Sequence, residues 1–418
     1  MLHFRIVIFF LVFVLLIPAI ANAQEFPDWL SQVKQWVNEN LITQQEFNQV
    51  IEYLIEKEIL HESNQIDYKD CLDLDNIILH TTPIEISSIQ MITPMGRVSD
   101  SHVTPTDHQY WAVKGGINQD HTLNKSIRVD LRSPADGYVT DLEYFRANDY
   151  RMVIQHSCSF SSYYIHVAEL SEKILNDAKF SDSNKHQYTT VHIPITQGEI
   201  IGKVTGPSFD FSVVDEKVFL EGFVSYERYN GEPWKIHTVD PFDYFEESIS
   251  SQLIEKTIRN VHPIGGKIDY DIEGRLVGNW FKLDSSYRTG QENYWIDHLS
   301  VVYDHIDPSQ IRISFGDFDG KSKQFGIKGN SPDPESVSIQ DGLIKYELVP
   351  FDYFINSNQY WDRMTPEKNI TSKNLEDNIQ GVVLLQILDD SKLKVEIFPG
   401  KSATQVSDFT ANSEIYDR

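Results

Sequence analysis

Three successive patterns of apolar and polar residues divide the chain. Residues 6–20 are almost wholly apolar, with Arg5 before them and Ala21-Asn22-Ala23 after them. A basic start, a short apolar run and small residues at its end make the pattern of a secretory signal, so residues 1–23 are expected to be a signal peptide, with a mature start near Gln24. The alternative is an uncleaved anchor, but the run is about 15 residues, short of the roughly 20 that cross a bilayer. Over residues 24–61 the spacing turns helical. Trp29, Val33, Trp36 and Val37 form one stripe, Phe47, Val50, Ile51, Leu54 and Ile55 a second, and the polar Asn38-Glu39-Asn40 separates them. Thr43 with Glu46 three residues on has the form of a capping box for the second helix. The prediction is a helical hairpin.

Beyond it the period shortens to that of strands. Residues 62–93 read as a connector with short apolar runs at 76–79 and 84–92. From 94 to 248, Gly and Pro punctuate β-branched and aromatic runs, as in a chain of strands and turns. One helix is expected at 167–178, on Leu170, Ile174 and Leu175. Residues 256–418 form a further β-rich segment, with candidate strands at 267–272, 275–283, 295–303, 310–315, 343–349, 381–388 and 393–398. Asp389-Asp390-Ser391 marks a hairpin, and the Asp-Gly steps at 319 and 341 mark further turns. In the last run Leu393, Val395 and Ile397 alternate with Lys394 and Glu396, which places the apolar three on one face. The fold class is therefore mainly β and multidomain: a helical hairpin, a central antiparallel β domain and a C-terminal sandwich or barrel, because a one-sided sheet needs a second layer. Trp280, Trp295 and Trp361 in the last segment read as core, with carbohydrate or surface binding as the alternative.

Composition narrows the partners. Across 418 residues, 36 Lys and Arg face 62 Asp and Glu, a formal net charge of −26. Such a surface repels nucleic-acid phosphates and anionic lipid heads and favours cations or basic partners. Any membrane contact would run through an uncleaved N-terminal segment. Cys71 and Cys158 are the only cysteines. Export permits a disulfide between them, worth about 4–5 kcal/mol by chain entropy; the alternative is two buried thiols. Asn124-Lys125-Ser126 and Asn369-Ile370-Thr371 match the short glycosylation sequon.

The candidate chemistry lies in five segments of the central domain. GRVSDSHVTPTDHQYWAV, from Gly96, holds His102, Asp107 and His108. SPADGYV follows from Ser133. MVIQHSCSFSSYYIHVAEL, from Met152, holds His156 and His166; ITQGEIIGKVTG runs from Ile195, and FDFSVVD from Phe209. The third segment reads as two strands about a polar turn at 157–162, with Tyr164 and His166 on one face under a period of two. Metal-assisted hydrolysis needs three donors, an open position for water and an imidazole to move a proton. The domain has enough His and Asp to supply them. His156, Asp136 and His192 read as turn or surface residues, and Gly137, Gly198, Gly202 and Gly206 as turn residues.

In order and wording these segments resemble the lysostaphin and LytM-type zinc endopeptidases, the M23 family with its duplicated hybrid motif fold. The resemblance covers about 120 to 150 residues of 418 and rests on SPADGYV, the tyrosine-x-histidine phrase ending at His166, and QGEIIGKVTG. It implies a first zinc ligand at His108, a second four residues on, and a closing histidine-x-histidine at Ser208-Phe209-Asp210. Position 112 is Ala, Ser208 stands at the catalytic histidine's place, and Asp210 at the third ligand's. Taking His102 as the first ligand puts Asp107 five residues on, out of phase in a regular strand. Two readings stay open. In one the metal site is lost, no cofactor is needed, and the chain is an exported cell-surface protein with a binding or structural role toward an envelope polymer or protein. In the other, zinc is held by His108 and Asp210 with His102 or Asp107 as third ligand, and His166 serves a zinc endopeptidase acting on cell-wall or surface peptide. A solute- or glycan-binding protein, with the ligand in the C-terminal domain, is a third. The N-terminal hairpin also resembles a helical module of exported proteins of ammonia-oxidising archaea, which implies an archaeal source.

Overall fold

Alternating burial organises the central domain into one large antiparallel sheet. The computed structural model describes residues 77–418, apart from 119–121, 125, 179, 181–186, 284, 286–292 and 357–358. The expected signal peptide, the helical hairpin, most of the connector and Cys71 lie outside the described residues. The described residues belong to one compact unit. Its first strands are β1 (Ile89–Thr93), β2 (Gln109–Val113), β3 (Val129–Arg132), β4 (Gly137–Arg146), β5 (Asp149–Gln155), β6 (Phe160–Leu170), β7 (Gln187–Ile195), β8 (Ile200–Val204), β9 (Ser208–Asp215) and β10 (Thr238–Val239). The spatial order is β1-β2-β9-β6-β5-β4-β7; β8 joins β3 to β6, and β10 pairs with β9. Trp111, Tyr164, Phe209 and Phe211 are fully buried, and Phe211 packs against Trp111 at 5.3 Å and Tyr164 at 5.4 Å between ring centroids.

The expected helix at 167–178 is shorter than its apolar spacing suggested. β6 continues through Leu170, and helix α1 covers only Glu172–Ala178. Val167, Ala168 and Leu170 are strand residues held by pairing with β5 and β8. Within β6 the register against β5 shifts: Tyr164 opposes Met152, but Val167 opposes Tyr150. One residue of β5 therefore faces two of β6, a bulge, and His166 takes a left-handed backbone with φ 65°. The bulge reverses the phase of burial. Phe160, Ser162 and Tyr164 are buried before it, Val167 after it, and His166 is exposed. Tyr164 and His166 consequently do not share a face, contrary to the period-two expectation.

Gly116 and Gly206 make a close backbone contact that bare glycine allows, since a Cβ on Gly206 would lie 2.2 Å from the Gly116 carbonyl oxygen. Gly202 lies inside β8 and Gly137 opens β4, each against a neighbouring carbonyl. Of the four glycines expected in turns, Gly198 has the positive φ of a turn residue, at 75°.

After helix α2 (Glu247–Lys256), strands β11 (Gly278–Lys282), β12 (His298–Tyr303), β13 (Ile311–Phe315), β14 (Lys323–Ile327) and β15 (Ile344–Val349) begin a closed barrel. β16 (Phe351–Ile355), β17 (Gln359–Tyr360) and β18 (Ile370–Asn374) form a side sheet. β19 (Gly381–Asp389), β20 (Lys392–Pro399) and β21 (Glu414–Asp417) complete the ring. Leu393 and Val395 lie in the barrel core with Ile397 packed against it, as their alternation predicted. The segment 267–272 is not a strand. Its alternation arises because Ile268 packs with Met95, Phe223 and Phe281, and Tyr270 with Val98 and Val277. Trp280 and Trp361 are buried. Cys158 is disulfide-bonded.

His156 is a buried core residue and not a turn or surface residue. Its Nδ1 meets the Asp136 carbonyl at 2.8 Å and its Nε2 the Ser162 hydroxyl at 2.7 Å. Burial pushes its pKa down to about 4. Between that value and the usual 6.5, the unfolded chain binds a proton that the folded chain refuses, so the stability is present above about pH 6.5 and is lost as pH falls toward 4. The full loss is about 3 kcal/mol. Asp240 and Asp271, raised by burial to about 6, tilt stability the other way, so the comparison with a variant is decisive. In urea unfolding between pH 4 and 6.5, His156→Gln should flatten the slope of stability against pH by about one proton relative to the parent chain.

Candidate functional site

Three side chains, two from neighbouring strands and one from the loop entering a third, converge on one face of the central sheet. His108 immediately precedes β2. β2 pairs with β9 so that Tyr110 faces Asp210, and β6 pairs with β9 on its other side so that Ile165 faces Asp210. Asp210 is thus flanked by the strand beginning after His108 and by the bulge carrying His166. Its Oδ2 lies 3.4 Å from His108 Nε2 and 3.7 Å from His166 Nε2. Both separations exceed a good N–H···O hydrogen bond. His108 Nε2 and Asp210 Oδ1 are buried and have no hydrogen-bond partner.

Each imidazole is oriented from its far side by a carboxylate. Asp107 Oδ1 lies 3.0 Å from His108 Nδ1, and Asp149 Oδ1 lies 3.0 Å from His166 Nδ1. The other Asp107 oxygen accepts from Trp234 Nε1 at 3.0 Å and faces Lys235 Nζ at 3.4 Å. Asp149 Oδ2 accepts from Arg146 Nε at 2.9 Å. A chain of alternating charge therefore runs Lys235, Asp107, His108, Asp210, His166, Asp149, Arg146.

Burial and neighbouring charge set the protonation. Burial pushes the Asp210 carboxyl up, against the two imidazoles that pull it down. Burial opposes a charge on His108, but Asp210 and Asp107 together raise its pKa. The hydrogen bond to Asp149 raises that of His166. Burial alone would raise Asp107, yet Lys235 and His108 hold its carboxyl far below the usual range. Burial pushes His102 down to about 3, so it is a neutral ring, packed edge-on to His108 at 5.7 Å.

Of the sequence-predicted residues, His108, Asp210 and His166 come together. His102 lies beside His108. Asp107 stands behind His108, with Oδ1 on His108 Nδ1 and Oδ2 on Trp234 and Lys235. Ala112 faces Ser208 across the β2–β9 pair. Asp149, Trp234 and Lys235 were not foreseen. Asp149 opens a hairpin strand and carries no spacing signal, and Trp234 reaches Asp107 from 127 residues away. Asp136 serves a turn, its carboxylate accepting from the Gln197 amide, and His192 stacks on Tyr138 at 4.1 Å. Among the described residues, no group of three or more His, Cys, Asp or Glu side chains is placed to hold a metal ion.

Lys235 is a buried cation whose main partner is Asp107. Removing one member of such a pair leaves the other charge unmatched. Lys235→Met should lower stability by about 3–5 kcal/mol in denaturant unfolding. The Asp107→Asn, Lys235→Met double variant should recover part of that loss.

No family model matches the chain, and no curated protein matches it. Among solved structures it is similar to a zinc-containing peptidase from Vibrio cholerae, at 17% identity and TM-score 0.20, over 34% of this chain and 37% of that one. The chain thus spans little more than a third of that peptidase. It is also similar to a chain of the SpoIIQ–SpoIIIAH pore-forming complex, at 13% identity and TM-score 0.24, over 42% of this chain and 94% of that one. The lysostaphin solution structure matches at 7% identity and TM-score 0.18, over 53% of this chain and 81% of that one. These scores assign neither family nor activity, and what is shown is a multidomain, mainly antiparallel β protein.

Proposed function

We propose that this is an exported cell-envelope protein whose central domain follows the LytM and lysostaphin plan and binds or organises a surface polymer or protein without cleaving it. The family phrases support the plan by falling on strands and turns of one sheet in chain order. SPADGYV leads into β4, the histidine-bearing phrase forms the β5–β6 hairpin, and QGEIIGKVTG forms the turn and strand of β8. The apolar run at 6–20 supports export. The acidic balance favours a basic or cation-bridged partner over nucleic acid.

The observation that carries the non-hydrolytic reading is the Ala112–Ser208 pair. Where the family plan asks for a carboxylate ligand and an imidazole base, this chain places a methyl group and a hydroxyl side by side. Neither titrates near neutral pH, so neither takes a proton from an attacking water. The set of ligands that the plan implies therefore does not fit these residues position for position.

A zinc endopeptidase is the second reading. His166 favours it, reaching to 3.7 Å from Asp210 with its other nitrogen held by Asp149. A bound zinc ion would supply Lewis acidity, with His108 and Asp210 among its holders. His166 would move a proton at Nε2 and Asp149 would keep that nitrogen aimed.

Incubating the purified chain and zinc with glycine-rich peptides and isolated envelope polymer separates the two. The expected outcome is co-sedimentation with the polymer and no new amino groups. Release of amino groups that disappears in His166→Asn would replace this reading with the endopeptidase.

A further inference from the structure

We propose that the gap in the barrel wall between β20 and β21 is a binding site for an uncharged sugar unit, free or as part of a polymer. The inference deepens the proposed envelope role by naming a ligand class, and it rests on that reading only for where the sugar comes from.

Strand register makes the gap. β20 pairs with β19 along its whole length, from Lys392 to Pro399. It pairs with β21 only from Lys392 to Val395, opposite Asp417 to Glu414. Beyond Val395 the two strands part, and residues 396–399 keep a flank that β21 leaves uncovered. A cavity of about 370 Å³ occupies the parting. Small-molecule sites of roughly 300–1,000 Å³ recur at the mouths of β-barrels. Buried Glu396 and Tyr416 line the cavity together with exposed Pro399 and Asn412, so it runs from solvent into the wall.

Tyr416 is the first sign of a ligand. It is 7% exposed, and among the described residues its hydroxyl makes no hydrogen bond. A buried phenol ordinarily finds a partner. Burial, with the Glu414 carboxylate adding to it, raises its pKa, so the group stays a hydroxyl able to donate and to accept. The Asn412 carboxamide is also uncommitted among the described residues, since only its backbone N–H is used, on the Thr410 hydroxyl at 3.1 Å. It offers two donors and an acceptor.

Charge identifies the class. Two carboxylates line the cavity, and each is matched from within the chain. Glu414 pairs with Lys282 at 2.5 Å. Glu396 accepts from the Thr410 backbone N–H at 2.6 Å and from the Thr410 hydroxyl. Neither calls for a cation from outside, and an anion would meet both with only Lys401 in its favour. The lone pairs left on the two carboxylates accept from hydroxyl groups. Against these polar groups stand the apolar Ile397, Phe398 and Pro399. A pyranose ring has the same division, with hydroxyls around its edge and C–H bonds across its faces.

The full chain is screened by saturation-transfer NMR against maltose, cellobiose and diacetylchitobiose, with glucuronic acid and glucosamine as charged controls. At least one neutral disaccharide should bind, and more tightly than either charged sugar. Tyr416→Phe deletes the hydroxyl alone. It should weaken binding about 3–10-fold and leave the denaturation midpoint in place, because that hydroxyl holds nothing in the protein. Asn412→Trp, on an exposed turn, fills the mouth and should abolish binding, while His166→Asn in the central domain should bind as the parent chain does. No binding of any neutral sugar, tighter binding of a charged one, or affinity unchanged in both Tyr416→Phe and Asn412→Trp would each overturn the site. Co-sedimentation with isolated envelope polymer in the absence of sugar binding would also overturn it and leave the envelope role standing. A bound disaccharide that the polymer fails to displace would uphold the site with a free sugar as its ligand, and count against the envelope role instead.

Discussion

A carboxylate withdrawn from water must be matched by protons or cations, and Asp210 imposes that condition on everything around it. It sits in a central strand among aromatic residues, where burial favours its neutral form. Two imidazoles flank it, and behind each stands a second carboxylate anchored by its own cation, Lys235 or Arg146. The alternation keeps like charges apart and ties a loop, two hairpins and the segment carrying Trp234 to one point. The aromatic core beneath is correspondingly rigid, with Trp111, Phe209 and Phe211 fixing the strands that bring His108 and Asp210 together. Lys235 illustrates the dependence, since its burial is offset by the carboxylates of Asp107 and Glu232.

Much of the architecture was legible because strand periodicity is a local property. β13, β15, β19 and β20 match their apolar runs to within a residue or two, and the choice between sandwich and barrel falls to the barrel. What local pattern missed is equally instructive. Residues 267–272 alternate like a strand but bury their side chains by docking against Met95 and Phe223, a contact that spacing along the chain does not encode. β14 and β18 escape the pattern, being held by their neighbours more than by their own residues: Gly326 sits inside β14, and β18 reads ITSKN.

At the site, His108, Asp210 and His166 are legible because they stand at marked places in a run of phrases. Asp107 has the residue type of a ligand, and in the fold it holds an imidazole and a lysine. A period counted along one strand misplaces His166 relative to Tyr164, because a bulge is one residue of slippage between partners. Asp149, Trp234 and Lys235 leave no mark in the sequence, since only the tertiary fold brings them to the histidines.

Closure of the barrel has a consequence for biosynthesis. The ring is sealed when β21 pairs with β11 on one side and β20 on the other. β11 begins at residue 278 and β21 lies at Glu414–Asp417. While the ribosome is still making the intervening segment, β11 keeps an unpaired flank beside β12. The ring can therefore close only after nearly all of residues 278–417 have emerged, whereas the central sheet is complete far earlier. A nascent chain would hold a finished aromatic core beside an open half-ring, a state that invites shielding during synthesis.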